Sequence, residues 1–252
     1  MKAIYTEVFS QLKRAIYAIF SFTFFRQGII KTINGVKIKF PFEYSRYYPS
    51  DYEPFKQKFI ESYANGFAVD LGAHIGLYTV LLSQKATQVI AFEPTTFTRK
   101  VLNETLKFNS CKNVTVRSEM VTDASGSGTF YETEAKVSNA NSLVPLGTPF
   151  LVSAIALDDL NLKVDFLKVD IEGAELLALR GAARTLTTLK YMTLEIHPRL
   201  MARLGQTVNE IFELLKPYRP IYYMEDKLIT VEQLCKIEDH FEINVVLNGA
   251  TI

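Results

Sequence analysis

With 252 residues, 48% hydrophobic and 22% charged, the chain is long enough to bury a sizeable core as one domain, with or without a small appendage. A formal charge of +1 excludes the strongly basic footprint of a nucleic-acid binder. The two cysteines, Cys111 and Cys235, stand far apart with no C-x-x-C pair, which argues against a zinc site and a disulfide framework and makes a reducing, cytoplasmic setting the expectation.

Taken in order, the chain begins with an uncharged, apolar run of 11 residues, Ala15 to Phe25. That is short of the roughly 18–20 residues that cross a bilayer, and Arg-Gln-Gly-Ile-Ile follows rather than a cleavage site. Burial of this run as a helix on the domain or on a partner is the main expectation. Lys2, Lys13, Arg14 and Arg26 also suit a peripheral membrane contact through residues 1–26. Val36 to Phe42 alternates like a short strand. Tyr44 to Phe55 is aromatic and proline-bearing, a structured loop leading into a helix over Pro54 to Tyr63. Residues 1–50 are therefore read as an extension and 51–252 as the main domain.

The organising stretch runs from Phe67 to Pro94. An apolar strand, Phe67 to Leu71, meets the turn Gly72-Ala73-His74-Ile75-Gly76; helical spacing follows to Ser83, and a second strand, Val89 to Phe92, ends on Glu93. This is the shape of a nucleotide-binding βαβ unit. A helix start after a glycine turn offers unpaired amides to an anion, and an acid at the second strand's tip accepts from ribose hydroxyls.

Beyond it, Thr98 to Asn109 reads as a helix, Asn113 to Val121 as a third strand, Ser125 to Gly128 as a turn and Thr129 to Glu132 as a hairpin return. Residues 135–150 are polar and aperiodic, the kind of long loop that is functional or mobile. Val152 to Leu160 and Val164 to Val169 read as strand-like runs, Leu176 to Leu189 as a helix, Tyr191 to Ile196 as a strand capped by His197-Pro198, and Val208 to Lys216 as a helix. Two late strands, Ile221 to Met224 and Phe241 to Leu247, close the chain. The alternation predicts an α/β doubly wound sheet. Gly72, Glu93, Asp170 and His197 all fall just past strand ends, where such sheets bind ligands.

The turn lacks the G-x-G-x-x-G spacing of a dinucleotide site, which disfavours an NAD-linked oxidoreductase. An acid, Asp70, sits two residues before Gly72. A zwitterionic ligand suits it: a carboxylate for the turn amides, an ammonium for an acid, a ribose for Glu93. S-adenosylmethionine (SAM) has these parts.

Four stretches then carry a resemblance to the FkbM family of SAM-dependent methyltransferases. They are V-D-L-G-A-H-I-G-L-Y-T (69–79), V-I-A-F-E-P (89–94), F-L-K-V-D-I-E-G-A-E-L-L-A-L-R-G-A (166–182) and L-E-I-H-P (194–198). Tyr52-Glu53 and Ala156-Leu-Asp-Asp-Leu160 fit as well, so the resemblance covers about 150 residues from Tyr52 to Pro198. The first two stretches are common to class I methyltransferases; D-I-E-G-A-E is the distinctive one. The resemblance implies a Rossmann-like, seven-stranded sheet and O-methylation of a sugar or other natural product.

Strand parity places Phe166, Lys168 and Asp170 on one face, and Thr193, Glu195 and His197 likewise. Lys168, Asp170, Glu172, Glu195 and His197 are thus expected to form one charged cluster beside the donor. O-methylation needs the acceptor hydroxyl in line with the methyl group and a path for its proton. His197 is the first base candidate and Asp170 the second; Lys168 is expected to pair with the acids. Asp170, Glu172, Glu195 and His197 also have the chemistry to hold Mg²⁺, a metal-assisted route that no spacing demands. His74, Tyr78 and Thr79 are expected near the donor, and Glu119 and Met120 near its adenine. The aromatic segment 44–55 and the loop 135–150 are the expected walls for a small-molecule, glycan or lipid-linked acceptor. A homo-oligomer and a catalytically silent scaffold are both left open.

Overall fold

The computed structural model describes residues 12–13, 28–133, 137–138 and 141–251. The apolar run at Ala15 to Phe25 lies outside the described residues, as does most of the segment proposed for membrane contact. No described helix is long and apolar enough to cross a membrane.

The elements, in chain order, are β1 (Ile29–Ile33), β2 (Val36–Phe40), α1 (Pro54–Tyr63), β3 (Phe67–Leu71), α2 (Leu77–Lys85), β4 (Gln88–Phe92), α3 (Thr96–Phe108) and β5 (Val114–Arg117). Then come β6 (Met120–Val121), β7 (Gly126–Glu132), β8 (Thr148–Ile155), β9 (Phe166–Val169), α4 (Glu175–Arg180), α5 (Ala183–Leu186) and β10 (Tyr191–Ile196). The chain closes with α6 (Pro198–Arg203), α7 (Val208–Leu215), β11 (Ile221–Met224), β12 (Lys227–Leu228), α8 (Val231–Leu234) and β13 (Phe241–Val246).

The main sheet has the order β12-β11-β13-β10-β9-β3-β4-β5. Strands β5, β4, β3, β9 and β10 run parallel, while β13 is antiparallel to both β10 and β11. This is the doubly wound sheet expected from the alternation, with the two-residue β12 added as an eighth strand. Successive strands travel one way from β3 to β5 and the other way from β9 to β10. A crevice therefore opens beyond the carboxyl ends of β3 and β9.

Period-2 alternation loads both faces. Val69, Leu71, Leu167, Val169, Met192 and Leu194 pack against α4, α5 and α7. Ala68, Val89, Ala91 and Phe166 face the other way, onto α1, α2 and α3. The β1–β2 hairpin joins this second core through Ile33, Ile38 and Phe40, and Asn109 ties α3 to it by exchanging hydrogen bonds of 2.9 and 2.7 Å with the Lys39 backbone.

Three expectations are corrected. The strand Asn113 to Val121 is two strands in different sheets: Val114–Arg117 pairs with β4, whereas Met120–Val121 pairs with β8 in a small sheet of order β6-β8-β7. The break falls at Ser118-Glu119, where the Glu119 carboxylate folds back onto Arg117 and the Ser118 amide. The turn at Ser125 to Gly128 is shorter, since Gly126 already belongs to β7. The helix Leu176 to Leu189 is two short helices. Asp158, in the 3₁₀ turn Leu157–Leu160, caps the second by accepting from the Arg184 and Thr185 amides at 2.6 and 2.8 Å. Gly181, between them, packs so closely that a methyl group there would lie 2.1 Å from the Thr122 carbonyl oxygen.

Gly181 has φ −73°, which any residue adopts, so its requirement is steric. Helix propensity alone would favour alanine. Gly181→Ala is expected to destabilise instead, by about 1–3 kcal/mol as overpacking does, and a fall in melting temperature checks it.

Candidate active site

The crevice is a cleft lined by polar and aromatic side chains, the kind of concave site that takes a small molecule or cofactor. Part of it is built by the glycine turn and Glu93. Gly72 has φ +80°, and a Cβ there would lie 1.8 Å from the Asp170 carbonyl oxygen, so only glycine lets β3 and β9 meet at this point. Glu93, at the tip of β4, lines the cleft. Its Oε1 accepts from the Thr95 amide at 2.9 Å and its Oε2 from the His74 amide at 3.0 Å. Burial pushes its carboxyl up to about 7 against these bonds.

The turn amides go elsewhere than expected. Gly72 and Ala73 both donate to the Phe92 carbonyl, at 3.2 and 2.9 Å, and His74 to Glu93, so these three amides are already paired. The His74 ring, at φ +50° and lining the cleft, binds the Tyr48 hydroxyl through Nδ1 at 3.0 Å. Its Nε2 is shielded from solvent and has no hydrogen-bond partner. Burial lowers this ring to about 4, so it is neutral near pH 7.

Asp70 does not line the cleft. It is fully buried beneath the turn, where Oδ2 accepts from Thr79 Oγ1 at 2.7 Å and Oδ1 sits 3.1 Å from Lys168 Nζ. Lys168 is its direct neighbour in register on β9 and also donates to the Gly72 carbonyl at 3.0 Å. The expectation that Asp70 meets the ligand's ammonium is therefore corrected: Lys168 takes that place. Thr79 and Gly76 are likewise set back from the cleft; a Cβ on Gly76 would press on Leu102. Ala73, Tyr78, Glu119 and Met120 line it. Glu119 is held below the usual carboxylate range by its hydrogen bond from Arg117.

The rest of the lining is acidic and aromatic. Asp170, Glu172 and Glu195 line it, and the aromatic group Tyr47, Tyr48 and Tyr52 lines the cleft as well, with ring centroids 5.1 and 4.9 Å apart in sequence. The single charged cluster expected from parity is two linked groups. In one, Lys168 lies between Asp70 and Asp170, 3.6 Å from the latter. In the other, His197 Nδ1 faces Glu175 Oε1 at 2.9 Å, and Nε2 faces Glu172 at 3.3 Å and Glu195 at 3.8 Å. Burial opposes the charge of His197, but Glu175 and then Glu172 outweigh it and raise the ring to about 9. His197 is thus an imidazolium at neutral pH and has no lone pair for a proton. It is also set back from the cleft behind Glu172 and Glu195, a placement that does not favour it as the base.

The carboxylates divide the work of charge. Burial is the largest influence and pushes Asp170 up, but Lys168, Lys56 and His197 together outweigh it and hold it below the usual range. Burial raises Glu172 to about 8, against the pull of His197, and raises Glu195 with help from Asp170. Asp170, Glu172 and His197 bring ligand atoms within 4.8 Å of one another, as do Glu53, Glu195 and Glu242. In the first group a protonated ring stands in the ligand set; in the second, Lys56 Nζ already pairs with all three acids. Either would have to give up a proton or an ammonium to take a divalent ion.

Sequence reasoning missed Lys56, Glu175 and Glu242. A faint signal existed: a lysine at a core-facing position of a helix, and an acid inside the apolar strand F-E-I-N-V-V.

His197 gains its proton affinity on folding, so its pairs contribute stability that is full below about pH 6.5 and is lost as pH rises through about 9. His197→Gln is expected to cost more at pH 6 than at pH 10, which denaturant melts at the two pH values check.

Comparison with known proteins adds to this geometry. The Methyltransferase FkbM domain family matches residues 70–221. Comparison with curated proteins finds no match. Among solved structures, the chain is similar to SMU.1697c from Streptococcus mutans in complex with SAH: 13% identity over 76% of this chain and 95% of that one, TM-score 0.48. It is also similar to M. jannaschii TYW2 in complex with AdoMet, with 14% identity over 88% and 85% of the two chains and a TM-score of 0.47. A third is an rRNA methylase from Streptococcus thermophilus, with 10% identity, 76% and 93% coverage and a TM-score of 0.47. The family match spans more than half of the chain, and its span contains the glycine turn, Glu93 and the D-I-E-G-A-E acids: the chain belongs to the FkbM family of SAM-dependent methyltransferases.

Proposed function

We propose that this chain methylates a hydroxyl of a small, polar acceptor, with a sugar or a sugar-bearing natural product as the class. The observation that carries the reading is one cleft whose lining joins the glycine turn and Glu93 to three acids and a group of tyrosines. The donor end fits SAM on this structure's own features: Glu93 is positioned by two backbone amides with lone pairs to spare, and Nε2 of His74 is a buried polar atom without a partner. Glu93 would hold the ribose; Gly72, Ala73 and His74 would border the amino-acid end; Glu119 and Met120 would border the adenine. When bound, SAM supplies an electrophilic methyl group.

The chain's own residues do the rest at the acidic end. Tyr47 and Tyr52 offer ring faces that suit a sugar. Asp170, held ionised, orients an acceptor hydroxyl by accepting its hydrogen bond. Glu172 is the base in this reading: it lines the cleft where His197 does not, and its carboxyl, raised to about 8, has an ionised fraction that grows as pH rises toward that value. The acidic lining supports a small-molecule acceptor over nucleic acid, since phosphates would meet Asp170, Glu172 and Glu195, and the lining Lys168 is already paired with Asp70 and Asp170.

Two measurements test this. Calorimetric titration with SAM is expected to show affinity that falls as pH drops through about 7, as Glu93 takes up its proton, and Glu93→Gln is expected to flatten that dependence and weaken binding. Methyl transfer to a sugar panel, read by mass spectrometry, is expected to rise with pH through about 8. Glu172→Gln should lower kcat by about 10²–10⁴-fold while SAM binding persists. Transfer insensitive to Glu172→Gln would remove it as the base.

A further inference from the structure

The cleft wall is completed by residues outside the span matched to the family, which begins at 70 and ends at 221. Lys56, on α1, is 1% exposed. Its Nζ lies 2.5 Å from Glu53 Oε2, 3.0 Å from Glu195 Oε2 and 2.6 Å from Glu242 Oε2. Glu195 and Glu242 are direct cross-strand partners on β10 and β13. Two acids facing each other this way repel unless a cation lies between them. Of the three acids, Glu195 alone lines the cleft. Its second oxygen, Oε1, is 3.8 Å from His197 Nε2, so two cations fix the orientation of this carboxylate. Glu53 Oε2 also accepts from the Tyr78 hydroxyl at 2.5 Å, and Lys56 Nζ lies 4.8 Å from the centroid of that cleft-lining ring.

We propose that Lys56 is a positioning residue of this active site: its ammonium holds Glu195 as an oriented carboxylate at the acceptor end and, through Glu53, sets the Tyr78 ring. The proposal rests on the reading of the cleft as a methyl-transfer site. A staple that acted through Glu53 and Glu242 alone would lose stability on removal but would leave the ionisation of Glu195 near its wild-type value. A positioning ammonium does leave one. Without it, a carboxylate pushed up by burial and by Asp170 loses the cation that opposes both.

The test is a carboxyl ¹³C NMR titration of the full chain, with Glu195→Gln identifying the Glu195 signal. In Lys56→Met the Glu195 midpoint is expected to rise by about one pH unit or more. In Lys56→Ala, added ethylammonium is expected to restore it toward the wild-type value. An unmoved midpoint in Lys56→Met, or no response to ethylammonium in a folded Lys56→Ala, overturns the proposal. If either variant fails to fold, Lys56→Met/Glu242→Gln relieves the facing acids, and the same rise is expected there. SAM binding by the wild-type chain is measured alongside. Its absence would sink the methyl-transfer reading, whereas SAM binding with an unmoved Glu195 midpoint would sink only the role of Lys56.

Discussion

The buried pair between Lys168 and Asp70 is the constraint that the site depends on. The two residues face each other in register on adjacent parallel strands, and neither has appreciable exposure. Removing one partner of such a pair costs about 3–5 kcal/mol, because the other is left charged and buried. The pair does more than hold β9 to β3. The same ammonium reaches the Gly72 carbonyl at 3.0 Å, which fixes the glycine turn, and lies 3.6 Å from Asp170, which keeps that acid ionised. One lysine thus sets the donor turn and the first acid of the acceptor end together. Gly72 belongs to the same junction, since any side chain there would strike the Asp170 backbone.

From that centre the cleft is polarised by two ways of stabilising an acid. Around the glycine turn, the Glu93 carboxylate is held by backbone amides, while Arg99 binds the Glu93 carbonyl rather than its carboxylate, so the carboxylate remains available to neutral donors such as ribose hydroxyls. Around the acidic lining, acids and buried cations share one network. Asp170 and Glu195 lean on Lys168, Lys56 and His197, while Glu172 is raised to about 8. A site with one permanently ionised acid beside one that titrates near neutrality can orient a hydroxyl and also take its proton.

The sequence made the sheet, the glycine turn and the strand-end acids legible because each follows from local pattern. Strands β3, β4 and β10 and helix α1 fall within a residue of the alternation and apolar spacing that predicted them. What it hid was non-local. Nothing in V-T-V-R-S-E-M-V says that the chain changes sheets at Glu119, since both halves alternate alike. Nothing near Leu176 reveals that Gly181 touches Thr122. Parity placed His197 beside the acids correctly, but its proton affinity depends on Glu175, a residue that reads as an ordinary helix start. Asp70 looked like a ligand-facing acid because its spacing to Gly72 is suggestive; its partner Lys168 lies 98 positions away and is brought to it only by strand register. Lys56 and Glu242 were missed for the same reason.

The most direct measurement is a crystal structure of the chain with S-adenosylhomocysteine. The ribose is expected on the Glu93 carboxylate and the sulfur facing the wall formed by Asp170, Glu172 and Glu195, with the Lys168–Asp70 pair intact beneath the turn. A ligand bound with its ribose away from Glu93, or with its sulfur turned from those acids, would contradict that placement.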